Sequence, residues 1–261
     1  MLIHRSPAQT FCSNIAVDGP PTFARRSPAE PGHHNPAVRR RQVTKFRYLS
    51  VASSMAETQP SPAQAIDFLT LLHNLKKTKR TGWIRKGVTG PESVADHMYR
   101  MGLMAFISSS NSVDSNRCIK LAIVHDVAEA IVGDIAPSDN VTKEVKNQLE
   151  TEAMHKIRDM LGTDSAAGQE IEALWQEYED GKSPEALMVK DFDKLEMILQ
   201  AQEYEAEQDI DLQDFFDSTK GRFTTPLGQS WAKEIVKRRA DKQDVAHAKT
   251  NHGSSKIAAQ T

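Results

Sequence analysis

The residues with the clearest potential for chemistry are His125 and Asp126, which stand side by side inside the apolar stretch 121–132. Removing water from an unpaired carboxylate costs several kcal/mol or more, so a buried pair of this kind needs a compensating partner. A bound metal ion is such a partner for an imidazole and a carboxylate. Glu129 follows His125 by four residues and Asp126 by three, a spacing that places it over the same edge of a helix. We therefore predict a metal site with an acidic neighbour.

Further ligands must come from other segments, because adjacent residues of a helix point about 100° apart and cannot chelate an ion alone. His97, at the start of a predicted helix lined by methionines, and Asp193, in a later helix, complete a set of two imidazoles and two carboxylates. Four such ligands leave two positions of an octahedral ion for water and a substrate oxygen. Nitrogen and oxygen ligands without thiolate suit Mn²⁺, Co²⁺, Fe²⁺, Ni²⁺ or Zn²⁺, with Mg²⁺ less natural.

Each of these side chains also has an ordinary structural interpretation. His97 fits a hydrogen-bonded core histidine, and Asp193 fits a surface ion pair with a neighbouring lysine while Asp191 takes the inward position. Glu129 and Asp134, the latter aimed across the helix end by the preceding glycine, fit helix-end charges. The apolar flanks of the histidine–aspartate pair favour the metal site over these alternatives.

Composition places the 261-residue chain among globular proteins, with 39% apolar and 26% charged residues. No apolar run approaches the roughly 20 residues of a membrane span, so we expect no membrane partner. Residues 1–56 contain eight Lys or Arg and two acidic residues, so they carry +6 and the remainder carries −8. An acidic body argues against a nucleic-acid polymer as partner. Cys12 and Cys118 lie far apart, and we predict no disulfide.

The N-terminal segment 1–56 is rich in Arg, Ser, Pro and Ala and lacks the apolar core of a secretory signal. This composition is typical of an organelle transit peptide, for the chloroplast or the mitochondrion, which the sequence does not separate. A disordered basic extension is the alternative interpretation. Met55 also offers a start for a shorter cytosolic form.

Helical periodicity dominates from Ser61 onward, and alternating β patterns are nearly absent. We predict an all-α helical bundle of about six to seven helices over 61–240, followed by a disordered polar tail over 241–261. The first helix is expected to carry Ile66, Leu69, Leu72 and Leu75 on one face. The predicted helices are 62–80, 91–107, 119–132, 143–161, 169–178, one that begins at 183–185, and 227–236.

Three blocks of sequence carry a resemblance to a known family. They are PESVADHMYRM at 91–101, VHDVAEAIVGDI at 124–135 and DKLEMILQA at 193–201. The order of histidine, histidine–aspartate and aspartate on helices resembles the HD-domain metal-dependent phosphohydrolases. The extended blocks are similar to the 5'-deoxynucleotidases of that superfamily, and the resemblance covers about 63–240.

The resemblance implies roles for individual residues. The family's metal-ligand positions correspond to His97, His125, Asp126 and Asp193. Glu129 matches the acidic residue near the metal-bound water, which acts as general acid and base or as an orienting group. Asp134 matches a residue near the sugar or a second, weaker metal, to which the Ile135 carbonyl would contribute.

The resemblance also implies substrate contacts, with one departure. Trp83 matches an aromatic residue that crowds the ribose 2' position and so favours deoxyribose. Bacterial relatives carry an arginine directly before this tryptophan to orient the phosphate, where this chain has Gly82. Arg80 or Arg85 would have to supply that charge.

The predicted function is the hydrolysis of deoxyribonucleoside 5'-monophosphates to deoxynucleoside and phosphate, with Mn²⁺, Co²⁺ or Mg²⁺ as cofactor and Zn²⁺, Fe²⁺ or Ni²⁺ as alternatives. The family also implies a homodimer. Other enzymes on the same scaffold, acting on cyclic or polyphosphorylated nucleotides or as di-iron oxygenases, are expected to add histidines, and the core offers only His73 and His155. A non-catalytic nucleotide-binding or dimerisation module is the third alternative.

Overall fold

A computed structural model describes residues 59–108, 113–136 and 139–257. These residues form no sheet; their one extended pairing is an isolated bridge between Lys79 and Ser93. The all-α prediction is therefore confirmed. The helices are α1 (Pro62–Leu71), α2 (His73–Lys77), α3 (Thr81–Arg85), α4 (Val94–Ile107), α5 (Ser115–Val124), α6 (Glu129–Val132), α7 (Lys143–Leu161), α8 (Ala166–Asp180), α9 (Pro184–Gln208), α10 (Gln213–Thr219) and α11 (Pro226–Ile257).

Helix α9 forms the centre of the domain, with α4, α5, α8, α10 and α11 packed against it. Its 25 residues include Phe192, Leu195 and Ile198, which are buried almost completely. Met101 of α4 and Leu121 of α5 belong to the same core cluster. Because α4, α5 and α9 pack against one another, the residues that they carry inward meet at one place.

The start of α4 is set by its cap. The Ser93 side chain accepts a hydrogen bond from the Asp96 amide, and the Asp96 carboxylate accepts one from the Ser93 amide. This reciprocal arrangement satisfies amides that a helix N-terminus otherwise leaves unpaired. His97 therefore lies in the first turn of α4, where the cap holds its backbone. The methionines predicted to be core packing, Met98, Met101 and Met104, are all buried.

The described residues form eleven helices, whereas about six or seven were predicted, because several of the helices are short. The first predicted helix divides at Leu72 into α1 and α2, and α3 forms where the chain was expected only to break. Ile66 and Leu69 are exposed, so the predicted apolar face of α1 is wrong for these two residues. Helix α10 was not predicted.

The structure describes part of the predicted C-terminal tail but not the predicted transit peptide. Helix α11 runs on to Ile257, so the backbone is helical over the first part of the polar tail expected from 241. The predicted transit peptide lies outside the described residues. Within the described ranges no helix is both long and apolar enough to cross a membrane. Cys118 is buried and unbonded, and burial raises the pKa of its thiol to about 11.

Candidate metal centre and substrate cavity

The predicted third helix is interrupted where its histidine and aspartate lie. Helix α5 ends at Val124, residues 125–128 form turns, and α6 begins at Glu129. The Glu129 amide donates to the Asp126 carbonyl at 3.0 Å, a spacing of three residues rather than four. Side chains three apart are nearly eclipsed in such a tight turn. The break therefore brings Glu129 over Asp126.

The four predicted ligands converge from three segments of the chain. Nε2 of His125 lies 3.1 Å from Oδ2 of Asp126, and Nε2 of His97 lies 4.0 Å from that same oxygen. Oδ1 of Asp193 lies 3.3 Å from Nε2 of His97. Ligand atoms of two imidazoles and two carboxylates therefore lie close to one another.

Both histidines have their outer ring nitrogen engaged and their inner one available. Nδ1 of His97 lies 2.6 Å from Oε2 of Glu196, and Nδ1 of His125 lies 3.0 Å from the Ala122 carbonyl. Acceptors at these positions place the ring proton on Nδ1 and a lone pair on Nε2. Neither Nε2 has a hydrogen-bond partner among the described residues, although both atoms are buried. Orphaned nitrogens of this kind fit a divalent cation, which would satisfy both of them.

Tyr178 holds the aspartate ligand of α9. Its hydroxyl lies 3.0 Å from Oδ2 of Asp193, which leaves Oδ1 facing His97. The centroid of the phenol ring also lies 4.8 Å from that of the His125 ring, and the Lys190 ammonium lies 3.9 Å from the phenol ring centroid. Burial and the charge of Asp193 raise the pKa of Tyr178 well above its ordinary value, so the hydroxyl remains a donor.

The pKa values of His97 and Asp193 are shifted by the charged groups around them. Burial and Arg80 act to lower the pKa of His97, but its contacts with Asp193 and Glu196 raise it to about 9. Burial acts to raise the pKa of Asp193, yet the contact with His97 holds it well below the ordinary range. The carboxylates around the His97 ring therefore favour positive charge at this point, which a divalent cation would supply.

Glu129 is buried beside this centre and lines the cavity in front of it. Burial, together with the charges of Asp126 and Asp134, raises its pKa to about 10. Its Oε2 atom is buried without a hydrogen-bond partner in the described part of the chain. A carboxyl group at this place can donate a proton when it is protonated and accept one when it is ionised.

Asp134 and Ile135 follow Gly133, whose positive φ of 78° ends α6. Thr81 binds Asp134 twice, its amide donating to Oδ2 and its hydroxyl to the carbonyl at 2.7 Å. The Ile135 carbonyl accepts a hydrogen bond from the Lys146 ammonium at 3.2 Å. Both residues line the cavity, but a second cation at Ile135 would require Lys146 to move.

The two candidate arginines lie in different places. Arg80 reaches the centre, with its guanidinium 3.4 Å from Oδ2 of Asp126 and 3.8 Å from Oδ1 of Asp193. Arg85 is exposed and forms an ion pair with Asp139. Of these two arginines, only Arg80 lines the cavity.

Position 82 has little room for a side chain, because the ring of Phe215 lies against it. A Cβ atom at position 82 would lie 3.3 Å from the Phe215 ring, which α10 supplies. Trp83 packs on the same ring with centroids 4.3 Å apart, and its Nε1 donates to Glu92 at 2.9 Å. Trp83 is only 1% exposed, so any contact with a sugar involves an edge of its ring. Phe215 fills the space that a larger residue at 82 would need.

A cavity of about 470 Å³ opens in front of the centre. This volume lies within the range of ligand pockets, about 300–1,000 Å³. Its lining combines the predicted residues with others that the sequence did not single out: Lys143, Lys146, Glu150, Tyr178, Lys190, Lys194, Met197 and Phe215. The four lysines add positive charge to a lining that also contains the carboxyl groups of Glu150 and Glu179.

Asp191, the other aspartate of α9 that was considered for the inward position, makes different contacts. Asp191 is fully buried, and its carboxylate accepts hydrogen bonds from the amides of Thr224 and Thr225 at the start of α11. A carboxylate at a helix N-terminus is favourable because the unpaired amides there carry partial positive charge. The structure therefore directs Asp193 to the centre and Asp191 away from it. Glu196 and Tyr178, which orient the ligands, were not identified from the sequence.

Comparison with known proteins agrees with this geometry. The HD domain family matches residues 72–233. The 5'-deoxynucleotidase HDDC2 of Dictyostelium discoideum is 48% identical over 183 residues, which cover 65% of this chain and 95% of that protein. The human 5'-deoxynucleotidase HDDC2 is 49% identical over 62% of this chain and 79% of its own length. The crystal structure of the PH0347 protein from Pyrococcus horikoshii OT3 has a TM-score of 0.55 and 30% identity, over 67% of this chain and 97% of that one. This chain therefore belongs to the HD domain family, within the group of 5'-deoxynucleotidases.

Proposed function

We propose that the chain hydrolyses the phosphomonoester of deoxyribonucleoside 5'-monophosphates, releasing deoxynucleoside and phosphate. The observation that carries this proposal is the convergence of His97, His125, Asp126 and Asp193, with both Nε2 atoms buried and unpartnered in the described residues. The cavity in front of them has a volume in the range of small-molecule pockets, and its lining includes Arg80 and four lysines.

We propose that these four side chains hold one divalent cation, with Mn²⁺, Co²⁺ and Mg²⁺ as the first candidates and Zn²⁺, Fe²⁺ and Ni²⁺ as alternatives. The nitrogen and oxygen donor set, without sulfur, fits these ions. When bound, the cation would supply positive charge to the phosphoryl oxygens and make an attacking water more acidic. A second, weaker cation near Asp134 is part of the same proposal.

The protein's own groups then manage orientation and protons. In this proposal Arg80, held between Asp126 and Asp193, binds phosphoryl oxygens as negative charge develops on them. Glu129 moves a proton at its Oε2 atom, which has no partner among the described residues, to or from water or the leaving 5' oxygen. The edge of Trp83 at the cavity is the proposed contact that disfavours a 2' hydroxyl.

Two further properties of the chain are proposed from its sequence. Segment 1–56, basic and rich in Arg, Ser and Pro, would direct it to the chloroplast or the mitochondrion. Fluorescent fusions of the full chain and of a form that starts at Met55 would test this, because only the full chain should enter an organelle. We also propose that the chain forms a homodimer.

A phosphate-release screen tests the proposed reaction. The purified chain is stripped with a chelator, reloaded with each divalent ion in turn, and offered deoxyribonucleoside and ribonucleoside 5'-monophosphates, cyclic nucleotides and polyphosphorylated nucleotides. We expect release from the deoxyribonucleoside monophosphates above all. Asp126→Asn should abolish it, whereas Asp214→Asn, at an exposed carboxylate of α10, should not. Preferred release from cyclic or polyphosphorylated nucleotides, or no release with any ion, would contradict the proposal.

A further inference from the structure

Part of the cavity lining is apolar and, apart from Trp83, has no role in the proposed reaction. It consists of Gly82 and Trp83 from α3, Met197 from α9 and Phe215 from α10, which we call the apolar wall. Gly82, Met197 and Phe215 are partly exposed, whereas Trp83 is buried. Apolar surface that stays open inside a cavity is removed from water when a ligand covers it, so it favours an apolar part of the ligand.

The apolar wall lies next to the metal centre along α9. Met197 follows Asp193 by four residues and precedes Tyr204 by seven, so the three side chains share one face of the helix. The Tyr204 ring packs against the Trp83 ring, with centroids 5.4 Å apart. Along α9, Met197 therefore lies about one helical turn from the candidate metal ligand, on the side toward Trp83.

Phe215 is held at the cavity by the residues around it in α10. Leu212 and Phe216 are buried in the core, and the Arg239 guanidinium lies 4.0 Å from the centroid of the Phe216 ring. Phe215 lies between these two buried residues in sequence, yet it is only partly buried and lines the cavity. The backbone that carries its ring is therefore fixed before any ligand binds.

The Phe215 ring approaches α3 closely because position 82 has no side chain. A Cβ atom there would lie 3.3 Å from Cε1 and 3.5 Å from Cζ of the ring. The Trp83 ring packs on the same phenylalanine, with centroids 4.3 Å apart and an angle of 33° between the ring planes. The two rings together give this part of the cavity an aromatic surface.

We propose that the apolar wall is a nucleobase subsite, in which the base packs against Phe215 and Met197 while the phosphate lies at the metal centre. The inference rests on the proposed function, because it places a further part of the same substrate. Every nucleobase has a flat π-face, so its packing on an aromatic side chain tolerates any base. The site should therefore require a base but accept purines and pyrimidines alike.

A base suits the apolar wall better than the other parts of a nucleotide do. The phosphate and the sugar hydroxyls are polar and would lose hydrogen bonds to water on an apolar surface. Ile135 and Ala136 also line the cavity, but they lack a ring, and the Ile135 carbonyl is bonded to Lys146. A sugar phosphate without a base would leave the apolar wall in contact with water, so the base should contribute to binding and lower KM.

Two substrates that carry the same phosphomonoester and differ in the base test the inference. We expect the wild type to prefer deoxyadenosine 5'-monophosphate over 2-deoxyribose 5-phosphate by about 10-fold or more in kcat/KM, through KM. Phe215→Leu keeps an apolar side chain but loses the ring, so it should lose most of this preference. The same loss is expected with deoxycytidine 5'-monophosphate. Phe106→Leu, at an exposed phenylalanine that does not line the cavity, is the matched control and should keep the preference.

Binding of a nucleoside gives a readout that does not depend on turnover. Calorimetric titration of the chelator-treated chain with 2'-deoxyadenosine should detect binding that Phe215→Leu weakens about 10-fold and Phe106→Leu leaves unchanged. Thermal unfolding checks that both variants fold, and the wild-type comparison of substrates applies even if Phe215→Leu does not.

The inference and the proposed reaction can fail separately. If no substrate releases phosphate, the proposed reaction is wrong, and the nucleoside titration still tests the subsite. Equal kcat/KM for the nucleotide and the sugar phosphate in the wild type would overturn the inference and leave the reaction in place. Nucleoside binding of equal strength in Phe215→Leu and the wild type would overturn it as well.

Discussion

The Tyr178 hydroxyl lies 3.0 Å from Oδ2 of Asp193, and this contact decides which carboxylate oxygen faces the centre. Oδ1 is left 3.3 Å from Nε2 of His97. Glu196 acts in the same way on the opposite side, where it holds Nδ1 of His97 and leaves Nε2 free. Groups that hold the outer atoms of ligands fix their orientation and strengthen metal binding.

Tyr178→Phe removes only this hydroxyl and keeps the ring against His125. We expect the variant to fold normally and to bind a divalent cation about 10–100-fold more weakly, because Asp193 is then free to rotate. Competition with a chelating dye measures this affinity without reference to turnover. Tyr99→Phe, at an exposed tyrosine, is the matched control. Equal affinities in Tyr178→Phe and the wild type would show that the hydroxyl does not orient the ligand.

Glu129→Gln separates proton transfer from metal binding. The side chain lines the cavity and keeps its size in the variant, so cation affinity should change little. Turnover should fall by about 100-fold or more, because a general acid or base commonly contributes ~10²–10⁴-fold. Metal content and phosphate release are measured on the same preparation. Full activity in this variant would remove Glu129 from the mechanism.

Trp83 is expected to influence the choice between deoxyribose and ribose, but it is also a core residue. Truncation to alanine should destabilise the fold by about 3–5 kcal/mol, which would confuse an activity measurement. Trp83→Phe keeps most of the packing and shortens the edge at the cavity. We expect the ratio of kcat/KM for deoxyribonucleotides over ribonucleotides to fall several-fold. An unchanged ratio would exclude Trp83 as the discriminating residue.

Glu150 gives the fold a pH dependence that one substitution should remove. Burial, opposed by Lys146, raises the pKa of this carboxyl from 4.5 to about 7. The folded state then binds the proton more tightly than the unfolded chain. The contribution of Glu150 to the free energy of unfolding therefore falls as pH rises from about 4.5 to about 7. Glu150→Gln, which mimics the protonated form, should be more stable than the wild type at pH ~8 by up to about 3 kcal/mol.

Urea unfolding with a chelator present measures this effect. The advantage of Glu150→Gln should shrink to nothing as the pH falls toward 4.5, where both folded and unfolded wild type carry the proton. Glu152→Gln, at an exposed position of α7, controls for the loss of one carboxylate. An advantage of the same size at both ends of the pH range would show that burial of charge at Glu150 is not its cause.

The candidate ligands could be selected from the sequence because ionisable residues are rare inside apolar segments and need a partner there. His125 and Asp126 have such flanks, and the structure brings His97 and Asp193 to them. Helix α7 was predicted with the bounds that it has, Lys143–Leu161, because its cap and its terminal glycine are both local signals.

Other features depend on tertiary contacts and have no local signal. Asp191 and Asp193 lie two residues apart in one helix, and only the packing of Thr224 and Thr225 against Asp191 decides between them. Tyr178 is far from the ligand blocks in sequence and reaches Asp193 through the packing of α8 on α9. The break at 125–128 also went unpredicted, because its residues have the same apolar pattern as a continuous helix.

The most direct test of the account is the metal content of the chain and its dependence on Asp126. Wild type and Asp126→Asn are stripped, equilibrated with Mn²⁺ or Co²⁺, passed through a desalting column and analysed for metal per chain and for phosphate release from deoxyadenosine 5'-monophosphate. The account predicts one ion per wild-type chain with rapid release, and neither in the variant. Hydrolysis by a chain that holds no ion, or a variant that binds and hydrolyses like the wild type, would contradict it.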